Sequence, residues 1–146
     1  MPDGIYISSN SLKNKLGVKL GSYFAKKRYR YAGFSDNEFY IPTRLEIETF
    51  LNDNPIKPGN LSDESFDCDD YAFVLKGSVS LYVRNSGQYT ASMCIGIAWG
   101  MFQWAEELHA CNWALDSDFN LIWIEPQNGE IHDLHECRGN LELLIA

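Results

Sequence analysis

The stretch FDCDDYAFVLKGSVS, residues 66–80, decides how the rest of this 146-residue chain is interpreted. It sets one cysteine among three aspartates and then continues with apolar side chains every three or four residues, from Ala72 to Tyr82. That spacing is typical of a helix that packs one face on a core. We therefore predict a helix from about Asp67 to Val83, with Cys68 in its first turn.

The segments on either side of this helix have different patterns. Upstream, IPTRLEIETFLNDNP predicts a helix from about Thr43 to Asn52, which Pro55 stops. Downstream, short extended runs are separated by turn residues, as expected for antiparallel strands. The predicted strands cover residues 92–99, 108–115, 121–125 and 141–146.

These elements predict one α+β domain spanning residues 1–146, in which N-terminal helices pack on an antiparallel sheet. Residues 1–61 would form the helical part, and residues 62–146 the central helix and the sheet. The nucleophile would lie at the start of the central helix.

Composition narrows the classes of partner. Twenty acidic and twelve basic residues give a net charge of −8, which repels nucleic-acid phosphates and anionic lipid. Four basic residues lie in AKKRYRY, residues 25–31, where we expect a solvated helix face, with an anion or partner patch as the alternative. No nucleic-acid or membrane partner is expected, and the oligomeric state stays open.

Targeting signals and cysteines point to one compartment. The N-terminus lacks a basic segment followed by an apolar run, so a cytoplasmic location is expected. A chain with this many aromatic residues does not need disulfides, so the four cysteines are expected as free thiols, with Cys94 and Cys111 in the core.

Cys68 is the candidate nucleophile. The free N–H groups and the dipole of a helix start lower the pKa of a thiol, whereas the neighbouring carboxylates of Asp69 and Asp70 raise it. A reactive thiol therefore needs a cationic partner from another element. His109 lies on a predicted strand, and Glu125 lies 16 residues later at the end of the next strand, so the two can meet side by side.

Two further residues are alternatives to Glu125 as the group that orients His109. Gln127 shares the face of Glu125 if Pro126 does not break the strand. Asn112 lies three residues from His109, an odd offset that points to the opposite face of a strand. Glu125 is preferred, with Gln127 and Asn112 as possible third members or supports.

These segments resemble a known group. FDCDDYAF is similar to the helix start of bacterial transglutaminase-like cysteine proteinases, within the papain-like and transglutaminase-like superfamily. HACNW resembles the strand that supplies the histidine of that superfamily, and WIEPQNGEI resembles the segment that supplies its acid. The resemblance implies a catalytic triad of Cys68, His109 and Glu125.

The expected function is a thiol-dependent hydrolase or acyl transferase that acts on a peptide or isopeptide amide through a thioester on Cys68. The expected partner is a protein or peptide substrate, with no cofactor and no metal. HDLHEC, residues 132–137, lacks the second ligand pair that a zinc site needs. The alternative is a non-catalytic binding module or inhibitor on a papain-like scaffold. The side chain of the oxyanion hole stays unassigned among Tyr40, Asn54 and Asn60.

Overall fold

The computed structural model describes residues 4–24, 34–56 and 67–145, with backbone alone for residues 22–24, 139–140 and 142–145. The basic cluster of residues 25–31 lies wholly outside this range, and so does Asn60.

The described residues form three helices and eight strands. In order they are β1 (Ile5–Ser8), α1 (Ser9–Phe24), β2 (Glu38–Ile41), α2 (Arg44–Asp53), α3 (Cys68–Ser86), β3 (Ser92–Met93), β4 (Ile95–Phe102), β5 (His109–Leu115), β6 (Leu121–Ile124), β7 (Ile131–Asp133) and β8 (Cys137–Ile145), with a 3-10 turn (Leu134–Glu136) before β8.

The strands form two sheets. The larger sheet has the order β7-β6-β5-β4-β8, and all of its neighbours are antiparallel. The smaller sheet has the order β1-β2-β3, in which β1 and β2 are antiparallel and β2 and β3 are parallel. The short parallel pairing places the chain that leaves α3 beside the N-terminal strands.

Helices cover both faces of the larger sheet, because successive side chains of a strand point to opposite sides. Cys111, Trp113 and Leu115 of β5 pack in one cluster with Leu12 and Leu16 of α1. On the other face, Ala114 packs in a second cluster; its other members include Ile47 and Phe50 of α2 and Leu75 and Val79 of α3. The larger sheet is therefore the central layer of the domain.

The predicted fold class, a papain-like or transglutaminase-like arrangement with N-terminal helices packed on an antiparallel sheet, is wrong. The N-terminal part is not helical throughout, since residues 5–8 and 38–41 are strands of the second sheet. Nor do the helices gather on one side of the larger sheet, since α1 packs on the face opposite α2 and α3.

The two predicted helices are confirmed, and each has a clear start or end. Thr43 and Glu46 form a capping box at α2: the Glu46 N–H donates to Thr43 Oγ1 over 3.1 Å, and the Thr43 N–H donates to Glu46 Oε2 over 2.7 Å. α3 ends at Gly87, whose φ of 64° suits glycine. Of the described helices, none combines the length and apolar character that crossing a membrane requires.

Candidate functional site

Cys68 is the first residue of α3 and lies against the start of β5. The Asp67 N–H before it donates to Asp70 Oδ2 over 3.1 Å, which closes the first turn of the helix. The Ala110 N–H donates to Cys68 Sγ over 3.5 Å. Cys68 is partly exposed, whereas Cys94, Cys111 and Cys137 are buried and all four are free, so the predicted burial of Cys94 and Cys111 is confirmed.

His109 and Glu125 meet on one face of the larger sheet. The β5–β6 register pairs Asn112 with Ile124, so Glu125 lies diagonally across from His109. His109 Nε2 and Glu125 Oε2 are 2.5 Å apart, with side chains 15% and 6% exposed. Since Glu125 occupies Nε2, the hydrogen bond between His109 and Cys68 falls to Nδ1.

The three groups change one another's pKa in the direction of a thiolate and imidazolium pair. The hydrogen bond with His109 lowers the pKa of Cys68, against an opposing effect of burial. Burial alone would lower the pKa of His109, but hydrogen bonds with Cys68 and Glu125 outweigh it and raise that pKa to about 9. Because the groups titrate together, the charge state belongs to the cluster.

The acid whose charge acts on the thiol differs from the expected ones. Asp67, and not Asp69 or Asp70, supplies the carboxylate charge that opposes thiolate formation at Cys68. A hydrogen bond with Asp67 raises the pKa of Asp69. The acidic surroundings therefore weaken the activation of Cys68 without reversing it.

Glu125 is held as a carboxylate by several donors. Burial would raise its pKa, but the hydrogen bond with His109 and donors from other elements lower it. The Gln127 N–H donates to Oε1 over 3.1 Å, and Trp104 Nε1 donates to Oε2 over 2.9 Å. Trp104 in turn stacks on the ring of His132, with centroids 3.9 Å apart.

The predicted supports lie in different places. Gln127 assists Glu125 through its backbone N–H. Asn112 lies on the opposite face, where its Nδ2 donates to the Ala72 carbonyl over 2.9 Å and to the Gly96 carbonyl over 3.1 Å. Asn112 therefore fastens α3 to the sheet and does not contact the His109 ring.

Sequence reasoning missed Trp104, which lies in the turn after β4 and is brought to Glu125 by the fold. Of the oxyanion candidates, Tyr40 donates its hydroxyl to Glu46, and Asn54 donates its amide to the Phe50 carbonyl, both away from Cys68. The described residues thus offer the free N–H groups at the start of α3 near the thiol.

One group of described residues has ligand atoms close enough for a metal ion. One atom from each of Asp67, Cys68 and Asp69 lies within 4.8 Å of the others. The set mixes two hard carboxylates with one soft thiolate. Exposed acidic groups are common without an ion, so we assign no metal to it.

Replacing Trp104 with Phe is expected to slow alkylation of Cys68 by iodoacetamide a few-fold at pH 6. Phe keeps a ring against His132 but removes the N–H that stabilises the Glu125 carboxylate, at a cost of about 1–2 kcal/mol. Trp113→Phe is the matched control, because the buried Trp113 Nε1 has no hydrogen-bond partner among the described residues. Equal rates in both variants would contradict the support that we assign to Trp104.

Replacing Glu125 with Gln is expected to move the pH midpoint of Cys68 alkylation upward, because a neutral amide no longer stabilises the imidazolium of His109. Glu130→Gln is the control, since the Glu130 side chain is 63% exposed. The pH profiles of both variants and the wild type give the measurement, and coincident profiles for Glu125→Gln and Glu130→Gln would count against the assignment.

Comparison with known proteins shows which family the chain belongs to. The profile described as Agglutinin C-terminal matches residues 39–131, which is more than half of the chain. The chain belongs to the Agglutinin C-terminal family. No curated protein sequence matches it significantly.

Solved structures share its fold. A structure of PSL1a in complex with E64 matches with a TM-score of 0.70 and 21% identity, over 97% of this chain and 50% of that one. The Polyporus squamosus lectin bound to the human-type influenza-binding epitope Neu5Acα2-6Galβ1-4GlcNAc matches with a TM-score of 0.69 and 21% identity, over 97% and 49%. This member of the Agglutinin C-terminal family therefore spans about half the length of these structures.

These findings correct the resemblance drawn from the sequence. The assignment to transglutaminase-like cysteine proteinases is wrong. The classes that rested on it are therefore wrong too: hydrolase, cysteine protease and papain-like catalytic triad. The lectin relationship favours the alternative expectation, a binding module, over the expected enzyme. The contacts among Cys68, His109 and Glu125 do not depend on that resemblance.

Proposed function

We propose that this domain presents a nucleophilic thiol, Cys68, which takes up an acyl group from a bound ligand. The observation that supports the proposal is the contact series from Cys68 to His109 to Glu125, with a lowered thiol pKa and a raised imidazole pKa. A thiolate held beside an imidazolium is the form of cysteine that attacks a carbonyl carbon.

The acyl transfer requires only the bound ligand and the side chains of Cys68, His109 and Glu125. The Cys68 thiolate forms a C–S bond with the acyl carbon, and the bond between that carbon and the leaving group breaks. The leaving group departs with the bonding electron pair and takes its proton from the imidazolium of His109. Glu125 holds the ring in place and stabilises its charge until the proton moves.

The first test measures reaction of the thiol itself. Iodoacetamide at pH 7 is expected to label the wild type at Cys68 within minutes, and Cys68→Ala is expected to remain almost unlabelled, because the other three cysteines are buried. Cys137→Ala serves as the control and should label like the wild type. Equal labelling of the wild type and Cys68→Ala, seen by mass spectrometry, would refute a selectively reactive Cys68.

A second measurement tests whether Cys68 takes up an acyl group. Incubation with p-nitrophenyl acetate is expected to leave an acetyl adduct on Cys68 and to release p-nitrophenol, and neither product should form with Cys68→Ala. E64, the compound in the PSL1a complex, is expected to protect Cys68 from iodoacetamide if it binds over the thiol in this chain also. A reactive thiol that forms no acetyl adduct would restrict the site to ligand binding.

The second candidate function is carbohydrate binding without chemistry. The specific observation in its favour is the match to a lectin solved with a glycan, over 97% of this chain. Its ligand would be a glycan and not a peptide. Binding that survives in Cys68→Ala would support this function independently of the thiol.

A further inference from the structure

Trp104 lies between two aromatic rings that are close to parallel with its own. Phe102, the last residue of β4, stacks on the indole with ring centroids 4.6 Å apart and an angle of 25° between the planes. His132 of β7 stacks on it with centroids 3.9 Å apart and an angle of 7°. Phe102 and His132 make no ring contact with each other, so they cover opposite faces of the indole.

The two rings differ in what holds them. Phe102 is fully buried and packs edge-on against Trp123, with centroids 5.2 Å apart. His132 belongs to a three-residue strand at one edge of the larger sheet, and its side chain is 13% exposed. Phe102 is thus a wall of the core, whereas His132 covers the outer face of the Trp104 indole.

Carboxylates on both sides fix the ring of His132. Its Nδ1 lies 3.1 Å from Glu136 Oε1, and its Nε2 lies 3.6 Å from Glu130 Oε2. Glu136 is itself fixed, because its other carboxylate oxygen accepts from the Asp133 N–H over 2.7 Å. The Glu136 carbonyl also accepts from the Gln103 N–H over 2.8 Å, which ties the segment that carries the indole to the segment that carries the imidazole.

The stack decides where the indole N–H points. Trp104 Nε1 donates to Glu125 Oε2 over 2.9 Å, and the same oxygen contacts His109 Nε2. The N–H of an indole lies in the plane of the ring, and a hydrogen bond weakens steeply when its angle departs from linear. With only Phe102 against one face, the indole would be free to turn about its side-chain bonds and lose this alignment. The support that Glu125 receives therefore depends on the ring of His132.

We propose that His132 is a positioning residue for the thiol site, because its ring holds the Trp104 indole where the N–H meets the Glu125 carboxylate. His132 acts through Trp104 and Glu125 and not on the thiol directly. The inference deepens the proposed function and rests on it, since support for Glu125 affects function only if Cys68 reacts.

The experiment follows two signals in the full chain. The first is hydrogen exchange of the Trp104 indole N–H by NMR, with the resonance assigned from its loss in Trp104→Phe. The second is the rate of Cys68 alkylation by iodoacetamide at pH 6. His132→Ala is expected to speed the exchange and to slow the alkylation, each by a few-fold, because one hydrogen bond to a carboxylate loses its alignment. His132→Phe should keep both signals close to those of the wild type, because Phe restores a flat ring.

A double-mutant cycle separates positioning from general loosening of the fold. In Trp104→Phe the indole N–H is absent, so adding His132→Ala should change the alkylation rate little further. His135→Ala is the control, since it removes an exposed histidine of the neighbouring 3-10 turn. It should match the wild type in both signals.

Three results would overturn the inference: unchanged indole exchange in His132→Ala, equal slowing of alkylation by His132→Ala with and without Trp104→Phe, or equal slowing by His135→Ala. If His132→Ala does not fold, His132→Leu decides, because Leu fills the space without offering a flat ring and should behave as His132→Ala is expected to. The indole exchange does not depend on thiol chemistry. A wild-type Cys68 that alkylates no faster than glutathione therefore refutes the proposed function, while the exchange still decides whether His132 positions Trp104.

Discussion

Replacing His109 with Ala is expected to slow alkylation of Cys68 by about tenfold or more at pH 6. In the wild type the hydrogen bond and charge of His109 hold the Cys68 pKa below its ordinary range. An ordinary thiol with a pKa of about 8.5 is less than about 1% thiolate at pH 6. Part of the gain in thiolate is offset because a thiolate of lower pKa is a weaker nucleophile, with a Brønsted slope of about 0.4–0.5. The remaining difference is still a large effect for one substitution.

The pH profile of alkylation shows whether His109 acts on Cys68 through its charge. A lowered thiol pKa means that the wild type loses less reactivity than His109→Ala as the pH falls from 8 to 6, since His109→Ala should lose reactivity about tenfold for each pH unit below its own pKa. The difference between the two proteins should therefore shrink as the pH rises. His135→Ala is the control, since His135 is exposed and lies in the 3-10 turn before β8. A constant ratio of rates across the pH range would point to steric access and not to charge.

His109 and Glu125 could be found from the sequence because they lie on strands that follow one another in the chain. His109 and Glu125 belong to consecutive antiparallel strands joined by a short turn, so alternation alone places them on one face. Cys68 was found because the capped start of an amphipathic helix is visible in the sequence. The contact between Cys68 and His109, which joins elements 41 positions apart, follows from packing and not from any local pattern.

The N-terminal third shows why the fold class was not predicted. IYIS and EFYI are four-residue runs, and such short apolar runs do not distinguish a strand from a helix segment. α1 does carry a helical pattern, because Leu12, Leu16 and Leu20 recur every four residues and all three are buried in the core, but this pattern does not specify which face of a sheet the helix covers. The pairing of β2 with β3 brings together residues more than 50 positions apart, and nothing in either segment specifies it.

Short motifs misled the family assignment for a related reason. The segments around Cys68, His109 and Glu125 describe how a helix start and two strand ends present side chains, and that local arrangement recurs on unrelated scaffolds. The family is identified instead by the profile that matches residues 39–131, which is a much longer stretch of sequence. Tyr82 is a parallel case, because its helical spacing predicted a core residue and the structure exposes it beside two cavities.

Asn112 connects α3 to the larger sheet, and its replacement by Asp is expected to lower the free energy of unfolding by about 3 kcal/mol or more at pH 7. Asn112 is fully buried, and its amide nitrogen donates to carbonyls of both elements, Ala72 in α3 and Gly96 in β4. A carboxylate in the same place has no N–H to donate to these two carbonyls, and its negative charge would face both carbonyl oxygens.

The pH dependence of this loss distinguishes charge from shape. Burial raises the folded-state pKa of the new carboxyl above its unfolded value of about 3.9. The loss relative to the wild type should therefore be small near pH 4 and grow by about 1.4 kcal/mol for each pH unit above that, until the folded pKa is reached. Urea denaturation at several pH values measures it. Asn128→Asp is the matched control, because Asn128 is exposed and a carboxylate can still accept from the Glu130 N–H that Asn128 now binds. If Asn112→Asp lost the same free energy at pH 4 and pH 7, the cost would come from packing alone, and the polar connection between α3 and the sheet would lose its support.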